Sequence, residues 1–252
     1  MTTQFLLDSA PFVAVGFAAQ LVDGALGMAF GVISSTLLIS LGVPPAAASA
    51  GVHTVETFTT AASGISHVLH KNVDWRLFRR LVIPGVIGGV LGAYVLTQIH
   101  ADAARPLVLA YLSAIALYLI WRGLRFPPTG KTPRFVGPLG FAGGFLDAAG
   151  GGGWGPVVTS NLLLQGADPR RTIGTVNTAE FFLTVTISAT FIAALGWAAF
   201  TTATVGLLVG GVLAAPLGAV VAKKVPPKHL LILVGSALLV TSLYGIWRAL
   251  AP

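Results

Sequence analysis

The sequence predicts an all-α polytopic membrane protein made of two inverted repeats. Each repeat is a re-entrant or broken helical hairpin plus three transmembrane helices. Three observations predict it. Of 252 residues, 55% are hydrophobic and only 9% are charged, whereas a soluble domain carries about 25% charged residues. Apolar runs of roughly 20 residues, long enough to cross a bilayer, recur along the chain. The two halves also repeat one another, down to rare charged residues. Mean hydropathy is +0.85, which excludes a disordered chain, since disordered chains are polar and charged. The 31 glycines and 15 prolines follow no G-X-Y period, so collagen is excluded. A β-barrel requires short alternating strands that are absent here. The net charge of +7 sits between apolar runs, which is the pattern of membrane orientation and not of a nucleic-acid face. With no cysteine, disulfides, iron–sulfur clusters and thiolate catalysis are excluded.

Eight apolar stretches follow in order: 12–41, 46–69, 80–99, 105–121, 137–165, 172–196, 198–222 and 230–249. Asp8 precedes the first, with no Lys or Arg before it, so it is expected to belong to the mature protein and not to a signal peptide. Stretches 12–41 and 137–165 are long for one span, and both are interrupted at the centre. Asp23-Gly24, Gly27 and Gly31 interrupt the first; Asp147 and Gly150 to Gly153 interrupt the second. Each glycine weakens a helix by about 1 kcal/mol relative to alanine. Each long stretch is therefore expected to be a hairpin of two shorter helices. Pro44-Pro45 and Pro226-Pro227 precede stretches 46–69 and 230–249 as helix stop signals, and Pro127-Pro128 falls in the linker. The polar segment 123–136, with Arg125, Lys131 and Arg134, divides the chain near its midpoint. The expected organisation is a first transmembrane repeat at 1–122, a cytoplasmic linker at 123–136 and a second repeat at 137–252.

The repeat is explicit at an offset of 124 residues. F-A-A-Q-L-V-D from Phe17 matches F-A-G-G-F-L-D from Phe141, pairing Asp23 with Asp147. Gly42 pairs with Gly166 and Pro45 with Pro169, and H-T-V-E (His53 to Glu56) pairs with N-T-A-E (Asn177 to Glu180). I-W-R at Ile120 returns at Ile246. The basic residues then orient the halves. If all eight stretches cross, nine lie on one side and six on the other, a weak bias. If each first stretch enters and leaves by the same face, thirteen lie on one side and only Arg105 and Arg248 on the other. The positive-inside rule prefers the second arrangement, with inverted halves and both termini outside the cytoplasm.

Four acids fall inside apolar stretches: Asp23, Glu56, Asp147 and Glu180. An intramembrane charge costs roughly 2.5–3.5 kcal/mol even on the lenient scale, so these should face protein or water as coupling or structural acids. His53, Glu56, Thr57, Thr60, Ser63 and His67 recur every three or four residues and form one polar stripe. Asn177, Glu180, Thr184 and Ser188 form another. Each acid has a plainer reading as a buried brace for its hairpin. Gly150, Gly151, Gly152 and Gly153 lead into Trp154-Gly155-Pro156, and amides opening a half-helix are candidate anion donors. The plainer reading of the other glycines, Gly85, Gly89, Gly92, Gly206 and Gly210, is close helix packing. A protonated His53 is expected to neighbour Glu56 one turn away. His67 and His70 lack a third ligand nearby in sequence, so no metal site is expected. Trp75, Trp121, Trp197 and Trp247 read as an interfacial belt. No nucleophile–base–orienter set is visible, so no enzymatic activity and no cofactor are expected.

The duplicated F-x-x-x-x-x-D-x-x-x-G-x-x-x-G segment, the G-G-G-G-W-G-P turn and the N-T-x-E segment resemble the sulfite exporter TauE/SafE family over essentially the whole chain. The resemblance implies export of a small sulfur-containing anion, such as sulfite, a sulfonate or sulfoacetate, across a bacterial inner membrane. Residues expected to hold the anion are Gly150–Gly153, Asn177, Thr178, His53, Thr54 and Gly27. The first half departs from the second. Leu26, Met28 and Ala29 stand where the second half has Gly150, Gly152 and Gly153, and His53 stands where it has Asn177. Because acids repel anions, Glu56 and Glu180 must be protonated beside a bound sulfonate or carry coupling protons. The alternative is a cation or metal-ion permease with the four acids as ligands. The expected partners are the substrate, the lipid bilayer and protons, with no nucleic acid; oligomeric state is open.

Overall fold

The computed structural model describes residues 3–26, 28–125, 133–196, 202–224 and 227–250. Among these the chain is helical and without strands. The first half comprises α1 (Thr3–Leu26), α2 (Phe30–Ser40), α3 (Pro45–Leu69), α4 (Trp75–Gln98) and α5 (Ala101–Leu124). The second comprises α6 (Val136–Gly150), a π-helical stretch (Trp154–Thr159) continuing into α7 (Ser160–Leu164), α8 (Pro169–Leu195), α9 (Thr202–Lys224) and α10 (Pro227–Leu250). The π stretch contains Pro156, whose missing N–H prevents a regular ladder. Pro45, Pro169 and Pro227 each open a helix, where a missing amide hydrogen costs nothing.

Both long stretches break where the sequence places acid and glycine: after Leu26 in the first half and after Gly150 in the second. At about 1.5 Å per residue, the 15 residues of α6 span about 22 Å, short of a bilayer core of about 30 Å. Three described helices are long and apolar enough to cross a membrane: Trp75–Gln98, Ala101–Leu124 and Arg171–Leu195. Helix α5 runs through Gly123, whose α-carbon packs against Ile232 and Leu231 of α10. Residues 126–132 of the linker lie outside the described residues.

Glycine-mediated contacts give the helix directions. Gly140 packs on Leu81, Gly144 on Gly85 and Gly92 on Phe145, so α6 and α4 run parallel. Gly85 meets Leu183 and Gly89 meets Ile187, so α4 and α8 are also parallel. Since α6 and α8 point the same way, the chain between them must turn back, and the arm through α7 is the return. Gly206 packs on Phe12 and Gly210 on Phe17, making α1 and α9 parallel, as their repeat equivalents α6 and α4 are. Across the centre, Thr54 faces Ser188 and Ser63 faces Asn177, so α3 and α8 run antiparallel. Helices α5 and α10 do the same, with Gly123 beside Lys228 and Gly245 beside Leu109. The extensive pairings α1 with α9, α4 with α6, α3 with α8 and α5 with α10 all join one half to the other. Neither half buries its apolar surface alone. Small residues at these crossings let backbones meet, since a Cβ on Gly88 would fall on the Phe141 carbonyl.

Candidate functional site at the hairpin tips

The two breaks are built alike. Asp23 Oδ1 accepts from the Phe30 amide at 3.2 Å, and Asp147 Oδ1 accepts from the Trp154 amide at 2.9 Å. Each acid ends one arm of a hairpin and caps the first amide of the other, so the repeat extends to the hydrogen bonds. In the second hairpin the backbone closes the turn as well. The amides of Gly151 and Gly152 both donate to the Asp147 carbonyl. Gly151 sits at φ 70°, a left-handed conformation that glycine adopts without penalty. Two of the amides expected to receive an anion are therefore engaged within the turn in this conformation.

Space points the same way. A Cβ on Gly152 would lie 2.5 Å from the carbonyl carbon of Gly31, and one on Gly31 would lie 3.0 Å from the Gly152 α-carbon. One on Gly155 would lie 2.7 Å from the Met28 Cβ. The two hairpins thus touch tip to tip, and the glycines are what permits it.

Around this junction the first half supplies a set of hydrogen bonds to the second hairpin. Ser35 of α2 donates to the Gly151 carbonyl, Ser49 of α3 to Ala148 O at 2.8 Å and Tyr111 of α5 to Gly152 O at 3.0 Å. His53 of α3 completes it. Its Nε2 lies 3.1 Å from Asp147 Oδ2, and its Nδ1 lies 2.7 Å from the Ser49 carbonyl. A carbonyl only accepts, so Nδ1 donates to it. The bond to Asp147 then needs a second proton, carried by the imidazole or by the carboxyl. The expected His53–Glu56 pairing is replaced by His53–Asp147, because His53 points across to the other half and not along its own helix.

Glu56 is 6% exposed, and the Gly31 amide donates to its carboxyl. Its Oε2 is buried without a hydrogen-bond partner. Asp147, Glu180 and Asp23 all lie within electrostatic reach of Glu56. The four intramembrane acids, far apart in sequence, therefore converge on one centre between the hairpin tips, α3 and α8. Glu180 is half-buried, and its carboxyl makes no hydrogen bond among the described residues. The polar stripes of α3 and α8 face each other across that centre. Asn177 Nδ2 donates to Ser63 Oγ at 3.1 Å, and Thr54 Oγ1 lies 3.5 Å from Ser188 Oγ. Thr178 and Thr54 also donate to carbonyls of their own helices, Gly174 O and Ala50 O. Gly27 lies outside the described residues.

Sequence reasoning missed Ser35 and Tyr111, which sit in apolar helices with no periodic signature, and Ser49, which lies one turn before His53 and extends the polar stripe of α3. Arg122 is one of the thirteen basic residues counted on one side. Arg122 is 5% exposed within α5, beside Tyr118. His67 bonds Asn72 at 3.3 Å, and among the described residues no three His, Asp or Glu side chains are grouped to hold a metal ion.

A family model described as "Sulfite exporter TauE/SafE" matches residues 12–245. The chain is similar to a Bacillus subtilis (strain 168) protein named "Probable membrane transporter protein YtnM". Identity is 42% over 242 residues, covering 92% of this chain and 80% of that protein. No solved structure matches. The chain belongs to the sulfite exporter TauE/SafE family of membrane transporters.

Proposed function

We propose that the chain is a secondary transporter that exports a small sulfur-containing anion, of the sulfite, sulfonate or sulfoacetate type, across the bacterial inner membrane in exchange for protons. The observation that carries this reading is the convergence of Asp23, Glu56, Asp147 and Glu180 with His53 where two hairpins meet. Broken helices meeting at a polar centre are the plan of transporters that alternate access between inverted repeats. The antiparallel pairing of α3 with α8 and of α5 with α10 supports that plan, as does the one-sided distribution of basic residues. Four carboxyls in one low-dielectric centre require counter-cations, and protons are the smallest. An anion entering this centre would meet Asn177, Thr178 and Thr54, with His53 fully buried behind them. Gly150–Gly153 shape the seat, and their amides become donors when the turn opens.

The same four acids favour a second reading, a cation permease. Proteoliposome flux separates the two. Sulfite and sulfoacetate efflux driven by an inward proton gradient, weakened in Glu180→Gln but with substrate still bound, supports the anion reading. Flux of a cation that is abolished by Glu56→Gln and Glu180→Gln, without anion flux, supports the permease and overturns it.

A further inference from the structure

A second polar site lies far from the hairpin tips, at the end of the bundle where α4, α6 and α8 begin. There a cavity of about 340 Å³ is lined by Arg76, Leu77 and Arg80 of α4, Val136 of α6, and Arg171 and Thr172 of α8. The three arginines are exposed, and none of them forms an ion pair among the described residues. Asp74 and Asp168 also border the cavity and accept from helix amides, so its lining has three arginines against two acids. Asp74 Oδ1 accepts from Arg76 N at 2.9 Å and Leu77 N at 3.1 Å, and Asp168 Oδ1 accepts from Arg171 N at 2.8 Å. The Asp74 amide in turn donates to Thr175 Oγ1 at 2.8 Å, which fixes the starts of α4 and α8 side by side. Helices α4, α6 and α8 are parallel, so their starts border one cavity; Asp74 and Asp168 cap α4 and α8, while α6 starts at Phe135 without a side-chain cap.

What fills such a cavity is decided by the surface running away from it. Arg76, Arg80, Ile83, Ile87, Leu91 and Tyr94 recur at steps of three or four and share one face of α4. Ile83, Ile87, Leu91 and Tyr94 are exposed, as is Phe141 of α6 beside Gly88. The arginines therefore cap an outward apolar strip of a membrane-spanning helix. A soluble anion would use the arginines and leave the strip idle. An amphiphile with a phosphate head and acyl chains would use both.

We propose that this cavity is a binding site for an anionic phospholipid, with its phosphate among Arg76, Arg80 and Arg171 and an acyl chain along Ile83, Ile87 and Leu91. Basic pockets between transmembrane helices are suited to such headgroups. The site is independent of the transported substrate and of which leaflet it faces.

The test is native mass spectrometry of the intact protein, titrated with phosphatidylglycerol or phosphatidylcholine. Phosphatidylglycerol is expected to bind at least tenfold more tightly. Each of R76Q, R80Q and R171Q should weaken it about fivefold, and the triple variant about a hundredfold. R76K/R80K/R171K should stay within threefold, and R79Q, outside the cavity, should change nothing. Unchanged affinity in the folded triple variant, or equal losses in R79Q, overturns the proposal. Displacement of the lipid by millimolar inorganic phosphate, with affinity indifferent to I87S/L91S, makes this a free-anion site and overturns it too.

Discussion

Replacing Asp147 tests how the second hairpin is held. Its carboxyl accepts from the Trp154 amide at 2.9 Å and meets His53 Nε2 at 3.1 Å, in a setting where Asp147 is 3% exposed and His53 fully buried. Asp147→Ala leaves both groups without partners. Each buried orphan costs about 1–3 kcal/mol, so the loss is about 2–6 kcal/mol. At about 2–4 °C per kcal/mol for a chain of this size, the apparent melting temperature should fall by roughly 10 °C. Asp147→Asn behaves differently. Its carbonyl oxygen keeps the Trp154 amide, and its amide donates to Nε2 of a neutral imidazole, so no bridging proton is needed. It should melt within about 3 °C of the parent, each kcal/mol being about 2–4 °C. Asp23→Ala removes a cap of the same kind without a histidine partner, so its loss should be about half that of Asp147→Ala, or about 1–3 kcal/mol. The assay is thermal unfolding of purified protein in detergent, followed by size-exclusion fluorescence. If Asp147→Ala melts like the parent, or Asp147→Asn melts as low as Asp147→Ala, the assigned hydrogen bonds do not hold the hairpin.

Gly152→Val should abolish accumulation of monodisperse protein, because its side chain would meet the α2 backbone 2.5 Å away at Gly31 and no rotamer relieves a backbone clash. A well-folded Gly152→Val would show that the tips separate readily. For the topology, a reporter fused after Pro252 should read periplasmic and one inserted within 123–136 cytoplasmic. The same side for both would exclude inverted halves.

The fold was largely legible because its signals are local. Apolar runs mark the helices, and Asp-Gly clusters mark the breaks, since both follow from what a short segment does in a bilayer. The convergence of the acids was partly legible through the repeat. How the glycine run closes on itself was not legible in the sequence. Its amides look free in a string of letters, but the turn folds two of them onto the Asp147 carbonyl. Tyr111 and Ser35 were invisible for a related reason. Ser35 meets Gly151 across 116 residues, and nothing near Ser35 announces it.

The duplication makes the two hairpins comparable residue by residue, and they are not held equally. The caps agree: Asp23 with Phe30 and Asp147 with Trp154. The cross-repeat bonds do not. Ser35 bonds the second hairpin, while its equivalent Thr159 is buried with its hydroxyl unpartnered. Ser49 bonds Ala148 O, while Ile173 at the equivalent position has no hydroxyl to offer. His53 reaches Asp147, while its equivalent Asn177 reaches Ser63 and not Asp23. Moving the second hairpin therefore breaks bonds to Ser35, Ser49, His53 and Tyr111 together. At about 0.5–1.5 kcal/mol for each neutral bond, and more where a charge takes part, that is a barrier of several kcal/mol. Among the described residues, Thr159, Ile173 and Asn177 at the corresponding positions of the second half supply no such bonds to the first hairpin. In this conformation the second hairpin is tied by hydrogen bonds to residues of the other half.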